Sequence, residues 1–195
     1  MPKRPAVCKM ILMLWCCCVL TACQQPPYND FKPDYGSAVD VYKISKRAVL
    51  NNLLKEDIQF IAYGDTYTLV VPTDHYYLFE SAKFDERCYL GLNDIARLLS
   101  YYPKCRVTVA AFTDDVGTNL RKLKLSQARA ETMLGFLWAH GIPAEKLTAQ
   151  GYGDRFSIGD NQWIRGSAYN RRIEIQWSLL PNQPDDLAGM YGVMK

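Results

Sequence analysis

The 195 residues hold 23 lysines and arginines against 20 aspartates and glutamates, a formal charge of +3 with a pI near 8.4. Three of the basic residues, Lys3, Arg4 and Lys9, fall in the first 22 positions and none of the acidic ones does, so the rest of the chain is formally neutral. A generic nucleic-acid binder needs a basic surplus or stripe, and this chain has no surplus to offer.

Lys3, Arg4 and Lys9 form a basic n-region ahead of an apolar stretch at 10–20, too short to span a bilayer comfortably when about 20 residues are needed. Residues 1–22 therefore read as a signal peptide. Leu20-Thr21-Ala22-Cys23 closes it with small residues and resembles the lipobox of bacterial lipoproteins. That resemblance implies cleavage before Cys23 and acylation of its thiol, where the alternatives are an ordinary secretory signal or an uncleaved anchor. Several acyl chains would hold the protein at a membrane, because each buried methylene contributes about 0.8 kcal/mol. Gln24, rather than aspartate, follows the lipid cysteine, which by the same resemblance implies the outer membrane. Of seven cysteines, Cys8, Cys16, Cys17 and Cys18 leave with the signal and Cys23 is lipidated, so Cys88 and Cys105 remain. In an oxidising compartment they are candidates for a disulfide; the other reading is two separate half-buried thiols. A metal site is not expected, since only His75 and His140 could join them.

Residues 23–38 contain Pro26, Pro27 and Pro33 and read as a flexible tether. Over 39–56, Val41, Ile44, Ala48, Val49 and Leu53 recur at helical spacing with Lys43, Lys46, Arg47 and Asn51 between them. This predicts an amphipathic helix whose stripe packs into a core rather than onto a membrane. Segments 58–63 and 66–71, rich in β-branched and aromatic residues, predict two strands joined by the hairpin signal Gly64-Asp65. An aromatic stretch at 75–79 leads into a helix at 88–101, through Leu90, Leu92, Ile95, Leu98 and Leu99, which Pro103 stops. Alternation at 106–112 puts Val107, Val109 and Ala111 on one face of a strand. A second helix at 120–140 buries Leu123, Met133, Leu134 and Leu137 and ends at Gly141-Ile142-Pro143. Strands at 147–152 and 171–177 complete a domain over 57–180. The tail 181–195 reads as disordered surface chain, or as a segment ordering on a partner subunit through Leu187, Met190, Tyr191, Val193 and Met194. The fold class expected is α+β, a sandwich of one mixed sheet with helices packed on one face.

Five short motifs stand in order along this pattern: Thr113-Asp114-x-x-Gly117; Leu125-Ser126-x-x-Arg129-Ala130; Gly141-Ile142-Pro143-Ala144-Glu145-Lys146-Leu147; Gly151-Tyr152-Gly153-Asp154; and Asn170-Arg171-Arg172-Ile173-Glu174-Ile175. Together they resemble the OmpA-like peptidoglycan-binding domain over about residues 57–177. The resemblance implies that Asp114 and Arg129 grip the diaminopimelate side chain of the stem peptide. Thr113 and Arg171 lie in the same motifs, and Lys122 stands where an asparagine usually contributes to the pocket. Ala111-Phe112, in place of Gly-His, and Gly166-Ser167-Ala168 are further departures from the usual pattern. The chemistry suits the ligand: diaminopimelate carries an ammonium and a carboxylate on one carbon, and a carboxylate can accept from the first while a guanidinium forks onto the second. The free amides at the start of the Arg129 helix could assist. Both side chains are expected at the rim of a pocket. For Arg171 and Arg172, pairing with acidic neighbours is an equal alternative to a ligand role.

Segments around Gln59-Phe60-Ile61, Tyr63-Gly64-Asp65-Thr66, Val71-Pro72-Thr73-Asp74, 110–114 and 166–177 also resemble the OmpA-like lipoproteins of Dot/Icm type IVB secretion systems. That narrower likeness implies a subunit anchored in the outer membrane among other secretion-complex subunits, with its domain in the periplasm. The alternatives are a general envelope-stability lipoprotein and a structural subunit that has lost wall binding. An enzyme is not expected: the sequence has no Gly-x-Ser-x-Gly, no His-Glu-x-x-His and no Cys-His pair revealed by spacing. No cofactor is called for.

Overall fold

The structure is a computed structural model and describes residues 44–180. Cys23, the tether, the first residues of the 39–56 segment and the tail lie outside the described residues.

Helix α1 (Lys46–Lys55) is capped by Ser45, whose backbone is extended and whose hydroxyl accepts from the Ala48 amide at 3.2 Å. Its stripe does enter the core, with Val49, Leu50 and Leu53 fully buried. Strands β1 (Gln59–Tyr63) and β2 (Thr66–Pro72) form the expected hairpin, with Tyr63 opposite Thr66 and Gly64 at φ 55°, a conformation that glycine tolerates without strain. A short helical turn, α2 (Thr73–Tyr76), follows directly. Helix α3 (Tyr89–Ser100) buries Leu92, Ile95, Leu98 and Leu99, while Leu90, part of the same apolar spacing, lies on its opposite side and is 72% exposed. Strand β3 (Val107–Phe112) and helix α4 (Asn119–Ala139) are followed by β4 (Leu147–Gly153), α5 (Ile164–Asn170) and β5 (Arg172–Ser178).

The sheet order is β1-β2-β5-β3-β4, antiparallel except for the parallel β3–β4 pair. Three rows of side chains cross one face: Tyr67, Trp177, Val107; Leu69, Ile175, Val109; and Val71, Ile173, Ala111. All nine are buried, and each large apolar side chain hidden in this way contributes about 1.5–3 kcal/mol. Helices α1, α3 and α4 supply the other half of the same core. This is the expected α+β sandwich. Residues 164–170, which carry no strong periodicity, were not expected to be helical.

The cysteines form no disulfide with each other. Cys88 precedes α3 and Cys105 follows it, so a helix about 18 Å long stands between them, whereas a bridge needs Cα atoms about 4.4–6.8 Å apart. The Cys88 thiol donates instead to the His75 carbonyl at 2.7 Å. Burial raises both thiol pKa values above the ordinary range, which leaves little thiolate at neutral pH. A soluble protein of residues 24–195 should therefore alkylate at both cysteines at least ten-fold more slowly when native than when unfolded, as followed by mass spectrometry. Equal rates would contradict this burial.

Candidate functional site

Strand β3 ends by delivering Thr113 and Asp114 to the surface edge of the sheet. The Thr113 amide donates to Gly153 O at 2.8 Å, fixing the turn to β4, and Asp114 Oδ1 accepts from the Val116 amide at 3.3 Å. Alongside runs α4, whose buried stripe changes character midway: Lys122, Ser126 and Arg129 are polar, while Met133 and Leu137 are apolar. The apolar end joins the core. The polar end faces a cavity of about 420 Å³, lined among others by Thr113, Asp114, Lys122, Arg129 and Arg171. The five residues singled out from sequence thus share one cavity, although they come from β3, α4 and the α5–β5 junction.

Two of them lie deeper than the rim position expected. Arg129 is 5% exposed, and the Asp114 side chain is 14% exposed. Arg129 donates from Nε to Ser81 O at 2.9 Å and from Nη1 to Thr73 Oγ1 at 3.4 Å, while its guanidinium carbon sits 5.5 Å from the centre of the Tyr77 ring. Among the described residues no carboxylate lies within salt-bridge distance of it. Burial lowers its pKa, yet a guanidinium starts so high that it stays charged. A buried cation supported by neutral acceptors retains the capacity to bind an anion strongly.

Arg171 has the opposite arrangement. Its Nε donates to both oxygens of Asp74 at 2.8 and 2.9 Å, and Nη1 donates to Asp114 Oδ2 at 2.7 Å. Hydrogen bonding to Asp74, with Asp114 assisting, raises its pKa well above the usual arginine range. Pairing with acidic neighbours is therefore its observed role, and it ties α2 to the end of β3. Each carboxylate oxygen has two lone-pair sites, so Asp74 and Asp114 keep capacity for an ammonium.

Lys122 lines the cavity, but its ammonium is bound to Asp154, the last residue of Gly-Tyr-Gly-Asp. This hydrogen bond holds the Asp154 carboxyl below its ordinary pKa. Arg121 and Glu80 pair at the same cavity. The amino-terminal amides of α4 take no part: residues 118–120 do not line the cavity, and Thr118 Oγ1 caps the Arg121 amide at 3.3 Å.

Thr73, Asp74 and Tyr77 were missed as site residues. Pro72-Thr73-Asp74 directly after a strand is a helix-start signal that would have placed them on a turn, though not beside Arg129. Asn170 was also missed. It is fully buried; Oδ1 accepts from the Ile158 and Gly159 amides at 2.7 and 2.9 Å, and Nδ2 donates to Gly159 O at 2.8 Å and Asn161 Oδ1 at 2.7 Å. It shapes the long β4–α5 connection.

Residues 76–171 match the OmpA family. "Probable lipoprotein YiaD" of Escherichia coli (strain K12) is 30% identical over 146 residues, 74% of this chain and 67% of that protein. "Peptidoglycan-binding protein ArfA" of Mycobacterium tuberculosis (strain ATCC 25618 / H37Rv) is 30% identical over 115 residues, 59% of this chain and 31% of that protein. The chain thus spans about two thirds of the first relative's length and less than a third of the second's. The solved structure of the cell wall anchor of the T6SS from Pseudomonas aeruginosa superimposes with a TM-score of 0.63 at 26% identity, covering 70% of this chain and 98% of that one. With these matches and an α+β sheet carrying the motifs around one cavity, the chain belongs to the OmpA family.

Proposed function

We propose that this protein is a non-catalytic outer-membrane lipoprotein that binds peptidoglycan through the diaminopimelate of the stem peptide. The observation that supports this best is Arg129, a buried guanidinium without a carboxylate partner, opening on the same cavity as Asp74 and Asp114. The ligand carboxylate meets Arg129 and its ammonium meets the acidic pair. No proton transfer is needed, since recognition is by charge and shape. The names of the relatives, a lipoprotein, a peptidoglycan-binding protein and a cell wall anchor, agree with this reading.

Cys23 supplies the other end of the link: acylated, it holds the protein in the outer membrane, with residues 24–38 as a spacer and the domain in the periplasm. Such a link suits a subunit that fixes an envelope assembly to the wall, and the narrower sequence likeness favours a type IVB secretion core complex with other outer-membrane subunits as partners. A second reading, a structural subunit without wall affinity, draws support from the Arg171–Asp114 pair, which already satisfies part of the Asp114 charge.

Co-sedimentation of residues 24–195 with purified diaminopimelate-type sacculi tests the proposal. Asp114→Asn removes one charge but keeps the turn, and should weaken binding by about ten-fold or more, the worth of one charge-assisted hydrogen bond. In cells, Cys23→Ser should abolish labelling by a fatty-acid analogue and release the protein from the outer-membrane fraction. A parent protein that fails to sediment with sacculi would leave the structural-subunit reading in its place.

A further inference from the structure

Beside the first cavity lies a more open hollow of about 450 Å³, lined by Glu80, Thr118, Leu120, Arg121, Lys124 and Leu125. Glu80, Arg121 and Leu125 line the first cavity as well, so the two are continuous. A ligand whose end is held in the cavity can leave it across these three residues.

The hollow carries two cations against one carboxylate. Arg121 pairs with Glu80 through side chains that are 61% and 41% exposed, and pairs so open to water hold each other weakly. Glu80 Oε2 accepts from Nη2 alone, so the other guanidinium donors stay available to a second anion. Lys124 is exposed, and among the described residues no carboxylate lies within salt-bridge distance of it. The surplus is one positive charge. Glu80 is placed by a turn in which the Ser81 amide donates to Leu78 O at 3.0 Å and the Leu78 amide donates to Lys83 O at 2.9 Å, with Glu80 itself at φ 49°. Side chains seldom adopt this left-handed backbone, and such strain gathers at ligand sites. Next to the cations, Leu120 exposes 63% of its surface and Leu125 is half-buried, an apolar strip beside a charged one.

Helix α4 sets the spacing between the two sites. From Arg129 back to Arg121 is about 12 Å along its axis, at 1.5 Å per residue. Extended diaminopimelate puts its α carbon about 6 Å from the carboxylate held at Arg129, and the carboxylate of an adjoining residue stands about 4–7 Å beyond. The lengths agree.

We propose that this hollow is a second anion subsite, in which Arg121 and Lys124 receive the carboxylate of the stem residue next to diaminopimelate while Leu120 and Leu125 carry that residue's aliphatic part. The inference rests on diaminopimelate occupying the first cavity. The carboxylate is either the α-carboxylate of the preceding γ-linked D-glutamate or the terminal carboxylate of a following D-alanine.

Calorimetric titration of residues 24–195 with five probes separates these cases. Free meso-diaminopimelate reads the first cavity. L-Alanyl-γ-D-glutamyl-meso-diaminopimelate is compared with its D-glutamate α-carboxamide, and meso-diaminopimelyl-D-alanine with its D-alaninamide. One pair should show the carboxylate form binding about five-fold or more tightly than the amide, and that pair names the source. Lys124→Gln should erase the preference while leaving the affinity for free meso-diaminopimelate within about two-fold, because Lys124 lines only the hollow. Raising the salt concentration should shrink the preference too, since both cations are exposed. A parent protein that binds meso-diaminopimelate but does not tell carboxylate from amide in either pair overturns the subsite alone, as does a preference that survives in Lys124→Gln. A parent that does not bind meso-diaminopimelate at all overturns the first-cavity reading and the subsite with it.

Discussion

Arg129→Met is expected to lose co-sedimentation with sacculi while melting at or above the parent temperature. The guanidinium is buried without a carboxylate, so it costs desolvation energy that its two neutral acceptors and the Tyr77 ring repay only in part. Methionine has a similar length and no charge to bury, and replacing buried ionic groups by apolar ones is often neutral or stabilising by about 1–4 kcal/mol. Binding moves the other way. A forked carboxylate contact comprises two charge-assisted bonds at about 1.5–3 kcal/mol each, so its loss weakens binding by about a hundred-fold or more. Arg129→Lys keeps a charge but loses the fork and the Nε bond to Ser81, and should fall between the two in binding. Thermal melting and co-sedimentation on one preparation decide the matter. A methionine variant that still binds would make Arg129 purely structural; one that binds poorly because it unfolds would show that the fold needs the charge.

Gly151→Ala should be the most destabilising small substitution at the α4–β4 contact, by about 3 kcal/mol or more, with the melting temperature about 10 °C lower. A methyl at this position would collide with the Gln127 amide nitrogen and lie 2.5 Å from its Cα and 2.7 Å from the Ser126 carbonyl carbon. These are backbone atoms and cannot rotate aside, so α4 itself must shift. The Gly151 amide also donates to Gln127 Oε1 at 2.7 Å, a bond the shift would stretch. Gly135→Ala, on the same helix, is the control. Nothing lies within 4 Å of the added methyl there, so the gain in helix propensity should raise stability by about 1 kcal/mol. Equal melting temperatures for the two variants would mean that the close approach at Gly151 is not rigid.

The elements themselves were legible because their signals are local. Alternation in Val107, Val109 and Ala111 and the Gly64-Asp65 turn act over a few residues, and the observed strands and hairpin follow them. Where the answer depends on what a segment packs against, local signals leave it open. Leu90 fitted the apolar spacing yet lies on the exposed side of α3, since a stripe seen in sequence does not say which side the sheet occupies. For Cys88 and Cys105 the sequence left a disulfide and two separate thiols open, and the full helix between them settles it for the second.

The sequence by itself determined which residue types would be available at the site and on which elements they would ride. Asp114 follows a strand, Arg129 sits on a helix, and the ordered motifs pointed to both. Only the tertiary structure decided their electrostatic state. Arg171 is 57 positions from Asp114 and Lys122 is 32 from Asp154, and neither pairing leaves any trace in local periodicity. Whether a charge is quenched, as in Arg171, or left open to a ligand, as in Arg129, depends on which carboxylates the fold brings within about 4 Å and how much water it excludes, and both are set by packing between distant segments.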